Sequence, residues 1–187
     1  MRRVIVITLL LINFQVSGQL NSSNLPPPDK SPMDMSYYPA NYPILKIQDK
    51  ATEPLILRLI YSRPQVNDRK VFGDLQEYGK VWRLGANEAT EIEFFKDVKI
   101  NGKKIRKGRY TLYAIPFEDK WTMIVNKETD IWGSFRYDEL KDIVRMDVPV
   151  MKNSNTEFMT IVFDRSSSGA NMTVYWDDVK VSLPIVF

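Results

Sequence analysis

From Ile44 onward, apolar and polar residues alternate with a period of two, the spacing of strands with one face buried. Leu57, Leu59 and Tyr61 alternate with Arg58, Ile60 and Ser62, and Ile92 and Phe94 alternate with Glu91 and Glu93. Val98 and Ile100 run into Asn101-Gly102, a pair that favours the positive φ angles of a tight hairpin turn. Tyr110 to Ile115, opened by Gly108 and closed by Pro116, is separated from Trp121, Met123 and Val125 by the turn Glu118-Asp119-Lys120. Val144, Met146, Val148 and Val150 form a further row, followed by Phe158 to Phe163, Met172 to Trp176 and Val179 to Leu183. Short strands divided by turns at this spacing predict an all-β fold, a single antiparallel β-sandwich or jelly-roll-like domain over residues 44–187. Val71 to Tyr78 and Asp138 to Asp142 are less regular, and each has room for one helical turn.

Two other segments precede this pattern. Arg2 and Arg3, the apolar run Val4 to Phe14 and Val16-Ser17-Gly18 have the order of an export signal, which gives residues 1–18 as a signal peptide and Gln19 as the mature N-terminus. Residues 19–43 hold Pro26-Pro27-Pro28, Pro32 and Pro39 and are expected to form an extended, Pro-rich leader, without helix or central strand. Tyr37, Tyr38 and Tyr42 are placed to pin its end to the domain. The expected location is outside the cytoplasm, periplasmic or extracellular, with no membrane span in the mature chain.

Charge and composition mainly exclude. Lys and Arg number 26 against 23 Asp and Glu, and the signal takes away two Arg, so the mature chain is close to neutral. Nothing in that balance points to a nucleic-acid partner. Cysteine is absent, which excludes disulfides, thiol nucleophiles and thiolate metal sites. Histidine is absent too, which removes the commonest general base and the commonest transition-metal ligand. Any catalysis would rest on carboxylates, Lys, Tyr or a hard metal held by oxygen. Asp138, Glu139 and Asp142, and Asp177-Asp178, lack the spacing of a calcium loop and read as solvated turns, so no metal and no cofactor are expected.

The densest chemistry lies in Val81-Trp82-Arg83-Leu84-Gly85-Ala86-Asn87-Glu88-Ala89-Thr90. This stretch, with Tyr61-Ser62-Arg63-Pro64, Arg69-Lys70-Val71-Phe72-Gly73, Tyr78-Gly79-Lys80, Gly108 to Leu112, Trp121 to Lys127 and Trp132-Gly133, resembles a family of secreted bacterial proteins catalogued as domain of unknown function 2911. The resemblance runs from about Pro26 to Ile185. It implies export and a compact β-rich domain, and it brings neither an established activity nor catalytic residues.

Functional candidates therefore come from the residues themselves. If the strands are regular, Arg63 lies in register with Leu57, Leu59 and Tyr61, and Glu88 with Thr90, Ile92 and Phe94, which aims both inward. With Arg69, Arg83 and Asn87 nearby, the group is either a structural clamp or a site for a small anion or glycan. Trp121 and Trp176 read as core, whereas Trp132, in a loop, is the candidate for an exposed carbohydrate platform. The ligand-binding candidates are thus Arg63, Arg69, Arg83, Asn87, Glu88 and Trp132. The expected role is a binding or structural module. The alternative is a histidine-free, carboxylate-dependent enzyme acting on a glycan, with Glu88 as one of two facing carboxyls. A third reading, a partner-binding module, would show a flat apolar patch.

Overall fold

A computed structural model of the chain describes residues 25–187. The expected signal peptide lies outside the described residues. Two antiparallel sheets pack as a sandwich. The first contains β1 (Met33–Tyr38), β2 (Leu57–Ser62), β3 (Glu91–Phe94), β6 (Gly108–Pro116), β7 (Lys120–Asn126) and β8 (Asp142–Pro149), in that spatial order. The second contains β5 (Lys103–Ile105), β4 (Val98–Ile100), β10 (Gly169–Val186) and β9 (Met151–Ser166). The predicted all-β sandwich is what forms.

Alternation decides what fills the interior. Leu57, Leu59 and Tyr61 of β2, Ile92 and Phe94 of β3, and Trp121, Met123 and Val125 of β7 are buried. They meet Met159, Ile161 and Phe163 of β9 and Met172, Val174 and Trp176 of β10. Phe72, Trp82, Trp121 and Trp176 form one aromatic cluster, with Trp82 and Trp176 stacked at 5.6 Å between centroids. Burying such rings supplies much of the driving force for closing a sandwich.

Two turns follow from local sequence. Asn101 (φ 50°) and Gly102 (φ 72°) join β4 to β5 as predicted, both in the left-handed region. The second reversal lies inside β10. Asp177 has φ 55°, the Thr173 and Ser182 hydroxyl oxygens are 3.2 Å apart, and the Phe187 N–H donates to the Ser168 carbonyl at 3.1 Å. In a straight strand, Thr173 and Ser182 would be about 30 Å apart. β10 therefore folds back at Asp177-Asp178, which matches the separate sequence rows Met172–Trp176 and Val179–Leu183. The two halves lie so close that a Cβ on Gly169 would sit 2.1 Å from the Ile185 carbonyl oxygen, so only glycine fits there.

Three details differ from expectation. Residues from the Pro-rich leader pair along the whole of β2, from Met33↔Ser62 to Tyr38↔Leu57, and make β1 an edge strand of the sheet. Its end is anchored as foreseen: Tyr38 is buried, with its ring 5.3 Å from that of Phe187. Tyr42–Ile47 is a short helix, α1, where residues from Ile44 were expected to be β; Asn41 turns the chain at φ 56° and a proline in the first turn fixes the entry. No residue of α1 is buried, so its pattern carried no helical stripe. Val71–Tyr78 forms turns and an isolated bridge, Phe72↔Gln76, rather than a helical turn. The expected turn after Asp138 does form, a 3-10 helix over Glu139–Lys141 capped by the Asp138 side chain.

Candidate functional site

The site is built by two loops on the outer face of the first sheet. The first is Arg83–Thr90. Trp82 and Thr90 both pair with β6: the Trp82 N–H donates to the Ala114 carbonyl at 2.8 Å, and the Leu112 N–H to the Thr90 carbonyl at 2.8 Å. The intervening residues bulge out and are closed by the Thr90 N–H on the Arg83 carbonyl. Most holds on this loop use its backbone. The buried Trp82 indole N–H donates to the Gly85 carbonyl (2.9 Å), and the Thr90 hydroxyl to the Leu84 carbonyl (2.6 Å). The Ser62 hydroxyl accepts the Ala86 N–H at 2.8 Å and donates to the Ala86 carbonyl. A Cβ on Gly85 would lie 3.2 Å from the Ser62 hydroxyl and 3.3 Å from that of Thr90, a tight seat in which both hydroxyls would have to give.

The second loop runs from Lys127 to Lys141 and is closed at its ends by the Lys127 N–H on the Lys141 carbonyl. Beneath it Ala89, Tyr113 and Ile124 form a small second core, joined by Val81, Ile131 and Tyr137. The Tyr137 hydroxyl donates to Asp142 (2.6 Å) and accepts from Arg145 (2.7 Å); burial, then the bond to Asp142, holds its phenol well above the ordinary range. The two loops meet edge to edge. The Ala89 N–H donates to the Ile131 carbonyl (2.8 Å) and the Gly133 N–H to the Asn87 carbonyl (2.9 Å), which makes Glu88↔Trp132 an isolated antiparallel bridge. These bonds flank the pair, so Glu88 and Trp132 occupy the position where opposed side chains come closest and share one face.

Beside this bridge lies a groove of about 170 Å³ lined by Met33, Ile60, Glu88, Ala89, Glu91, Asp130 and Ile131. Its floor is apolar and its rim carries three carboxylates. Glu91 accepts the Asp130 N–H (2.6 Å) and lies 3.3 Å from Arg109 Nε, and Asp130 lies 2.5 Å from Arg109 Nη2. Glu88 has no ion-pair or hydrogen-bond partner for its carboxylate among the described residues. The Trp132 side of the bridge is open: Trp132 is 60% exposed, and Phe135, three residues on, is 85% exposed.

The sequence candidates separate. Arg63 staples the two sheets: Nε donates to the Met159 carbonyl (3.1 Å), Nη2 to the Thr160 hydroxyl (2.8 Å) and Nη1 to Asp34 of β1 (3.0 Å). Arg69 donates to the carbonyls of Val66 (2.9 Å) and Gln65 (2.5 Å) and holds its own loop. Asn87 donates to Asp29 (3.1 Å), tying down the N-terminal segment. Arg83 is half-buried, its Nε is buried without a hydrogen-bond partner, and burial lowers its pKa. Among the described residues no ion pair or side-chain hydrogen bond joins any two of the candidates, and only Glu88 and Trp132 are brought side by side.

Glu88 is exposed, contrary to its expected inward register with Thr90, Ile92 and Phe94. The physical cause is a break in alternation between Glu88 and the strand: the successive residues Ala89 and Thr90 are both buried, Ala89 on the second core, which leaves Glu88 on the outer side in its bridge to Trp132. Glu91, Arg109 and Asp130 were not singled out from sequence. Glu91 and Arg109 stand on the polar side of their strands, but Asp130 reaches them only through the loop closure.

Among the described residues no group of three or more Asp and Glu is placed to hold a metal ion, and no helix is long and apolar enough to cross a membrane. Residues 45–185 match the model of a family described as "Protein of unknown function (DUF2911)". No curated protein and no solved structure matches the chain.

Proposed function

The chain belongs to that family, whose description assigns no activity, and from the geometry we propose that it is an exported binding module that takes a glycan where the Glu88–Trp132 bridge meets the groove. The observation that carries this reading is Trp132. Three of the four tryptophans are buried in the sandwich, and the fourth is held open beside a groove with an apolar floor and a polar rim. An indole face stacks on the C–H face of a sugar ring, while carboxylates and main-chain groups take its hydroxyls. The rim is acidic, which favours a glycan over the small anion also considered.

A carboxylate-dependent hydrolase needs a second free carboxyl facing the first. Here Glu91 and Asp130 are both drawn to Arg109, so Glu88 alone of the three stands without an ion pair among the described residues. Binding asks for no such pair.

Titration of soluble oligosaccharides, followed by tryptophan emission and calorimetry, tests the reading. A binding glycan should perturb Trp132 emission, and Trp132→Ala should lower affinity at least about ten-fold with melting unchanged, since the ring is exposed. A panel of neutral, amino and acidic oligosaccharides that leaves Trp132 unperturbed would sink it. Export is checked separately: native protein should begin at Gln19.

A further inference from the structure

We infer that the glycan taken by this site carries free ammonium groups, an inference that rests on the glycan reading and specifies its substrate class. The groove and the Trp132 indole across the bridge from Glu88 set a shape; the charges around them set a sign. Glu88, Glu91 and Asp130 line the groove, and among the described residues the one cation paired with any of them, Arg109, is engaged with both Glu91 and Asp130. Among the described residues no cation lining the rim is left to receive a carboxylate or sulfate, and a net negative rim repels both.

The Glu88–Trp132 pair adds direction. Residues opposed in this position have Cβ atoms about 4.5–5.5 Å apart and point to the same side. An ammonium group seated between them meets a carboxylate and the face of an indole together, an ion pair and a cation–π contact at one point. An N-acetylated sugar offers neither, because its amide is neutral. Met33, Ile60 and Ile131 then take the C–H face of the ring. Met33 is half exposed, so the groove meets solvent on the β1 side.

The test uses the full chain with three hexasaccharides, a glucosamine oligomer, its fully N-acetylated form and a neutral glucose oligomer, and with a lysine-rich peptide as a non-sugar cation. At slightly acidic pH the glucosamine oligomer should bind about ten-fold tighter than the other two, the combined worth of one exposed ion pair and one cation–π contact. The preference should disappear at alkaline pH, where the amines lose their protons. It should also disappear in Glu88→Gln, which removes one exposed charge and should fold normally, and persist in Glu77→Gln, an exposed acid outside the groove. Equal affinity for the acetylated and free-amine oligomers overturns this inference and leaves the glycan reading standing. A preference that survives Glu88→Gln also overturns it. Failure of all three to bind, or binding of a lysine-rich peptide alone, overturns both.

Discussion

Trp132 faces Glu88 across a single antiparallel bridge, and it is the one tryptophan of four whose ring stands largely in solvent. Trp82, Trp121 and Trp176 are each buried in the sandwich. Acrylamide or iodide should therefore quench one class of tryptophan strongly and the rest weakly, and Trp132→Phe should abolish the accessible class. Four comparably protected emitters would contradict the placement of this loop.

The loop that carries Glu88 is held by its main chain, so stability and candidate function should separate by residue. Glu88→Ala is expected to change stability by no more than about 0.5 kcal/mol, as at an exposed unpaired position. Thr90→Val and Ser62→Ala each leave buried or part-buried backbone groups without their partner and should cost about 1–3 kcal/mol. Denaturant titration of the three variants reads the difference, and a large loss in Glu88→Ala would show a hold on this carboxylate that the geometry lacks.

Arg63 ties β1 to β9, one strand from each sheet. Arg63→Met keeps much of the side-chain packing and removes three charge-assisted hydrogen bonds. With a third of the side chain exposed, the expected cost is about 2 kcal/mol, or roughly 4–8 °C in melting temperature. Arg63→Lys should recover only part of this, because an ammonium cannot reproduce the fork. Melting equal to wild type in Arg63→Met would remove the staple from the account.

Four phenols give the chain an alkaline limit. Burial is the first cause that raises Tyr61, Tyr110, Tyr113 and Tyr137 above the ordinary 10.0, with Asp142 adding to the shift at Tyr113 and Tyr137. The folded state thus favours the protonated phenol. Its contribution is full below pH 10 and is lost as pH climbs past 10 toward the higher folded values. Phenolate absorbance should show these tyrosines ionising together with unfolding rather than before it. Four normal phenols titrating in a still-folded chain would contradict the burial.

What could be read from the residues was what neighbours in sequence decide. Asn101-Gly102 makes its turn from its own backbone preferences, and Asp177-Asp178 interrupts the last apolar run where β10 reverses. Trp132 was legible because its loop lacks an alternating frame. Glu88 was misjudged because a strand register was carried backward past Thr90, whereas Ala89 and Thr90 are both buried and break the alternation between Ile92 and Glu88. Two of the three partners of Arg63 lie near residue 160 and could not be named before the two sheets were paired. The same holds for Arg109, whose link to Asp130 depends on how a distant loop closes. Helix α1 was missed because a helix that buries nothing leaves no hydrophobic stripe to find.

The placement of β1 bears on how the protein is handled. The family match begins at residue 45, whereas β1 ends at Tyr38. A fragment trimmed to the matched region would strip the border strand from the six-stranded sheet and leave Leu57–Ser62 as a raw edge, its N–H and C=O groups open to any extended chain. Such a fragment would be expected to self-associate in solution, and its clumping would reflect an amputated neighbour rather than a natural oligomer.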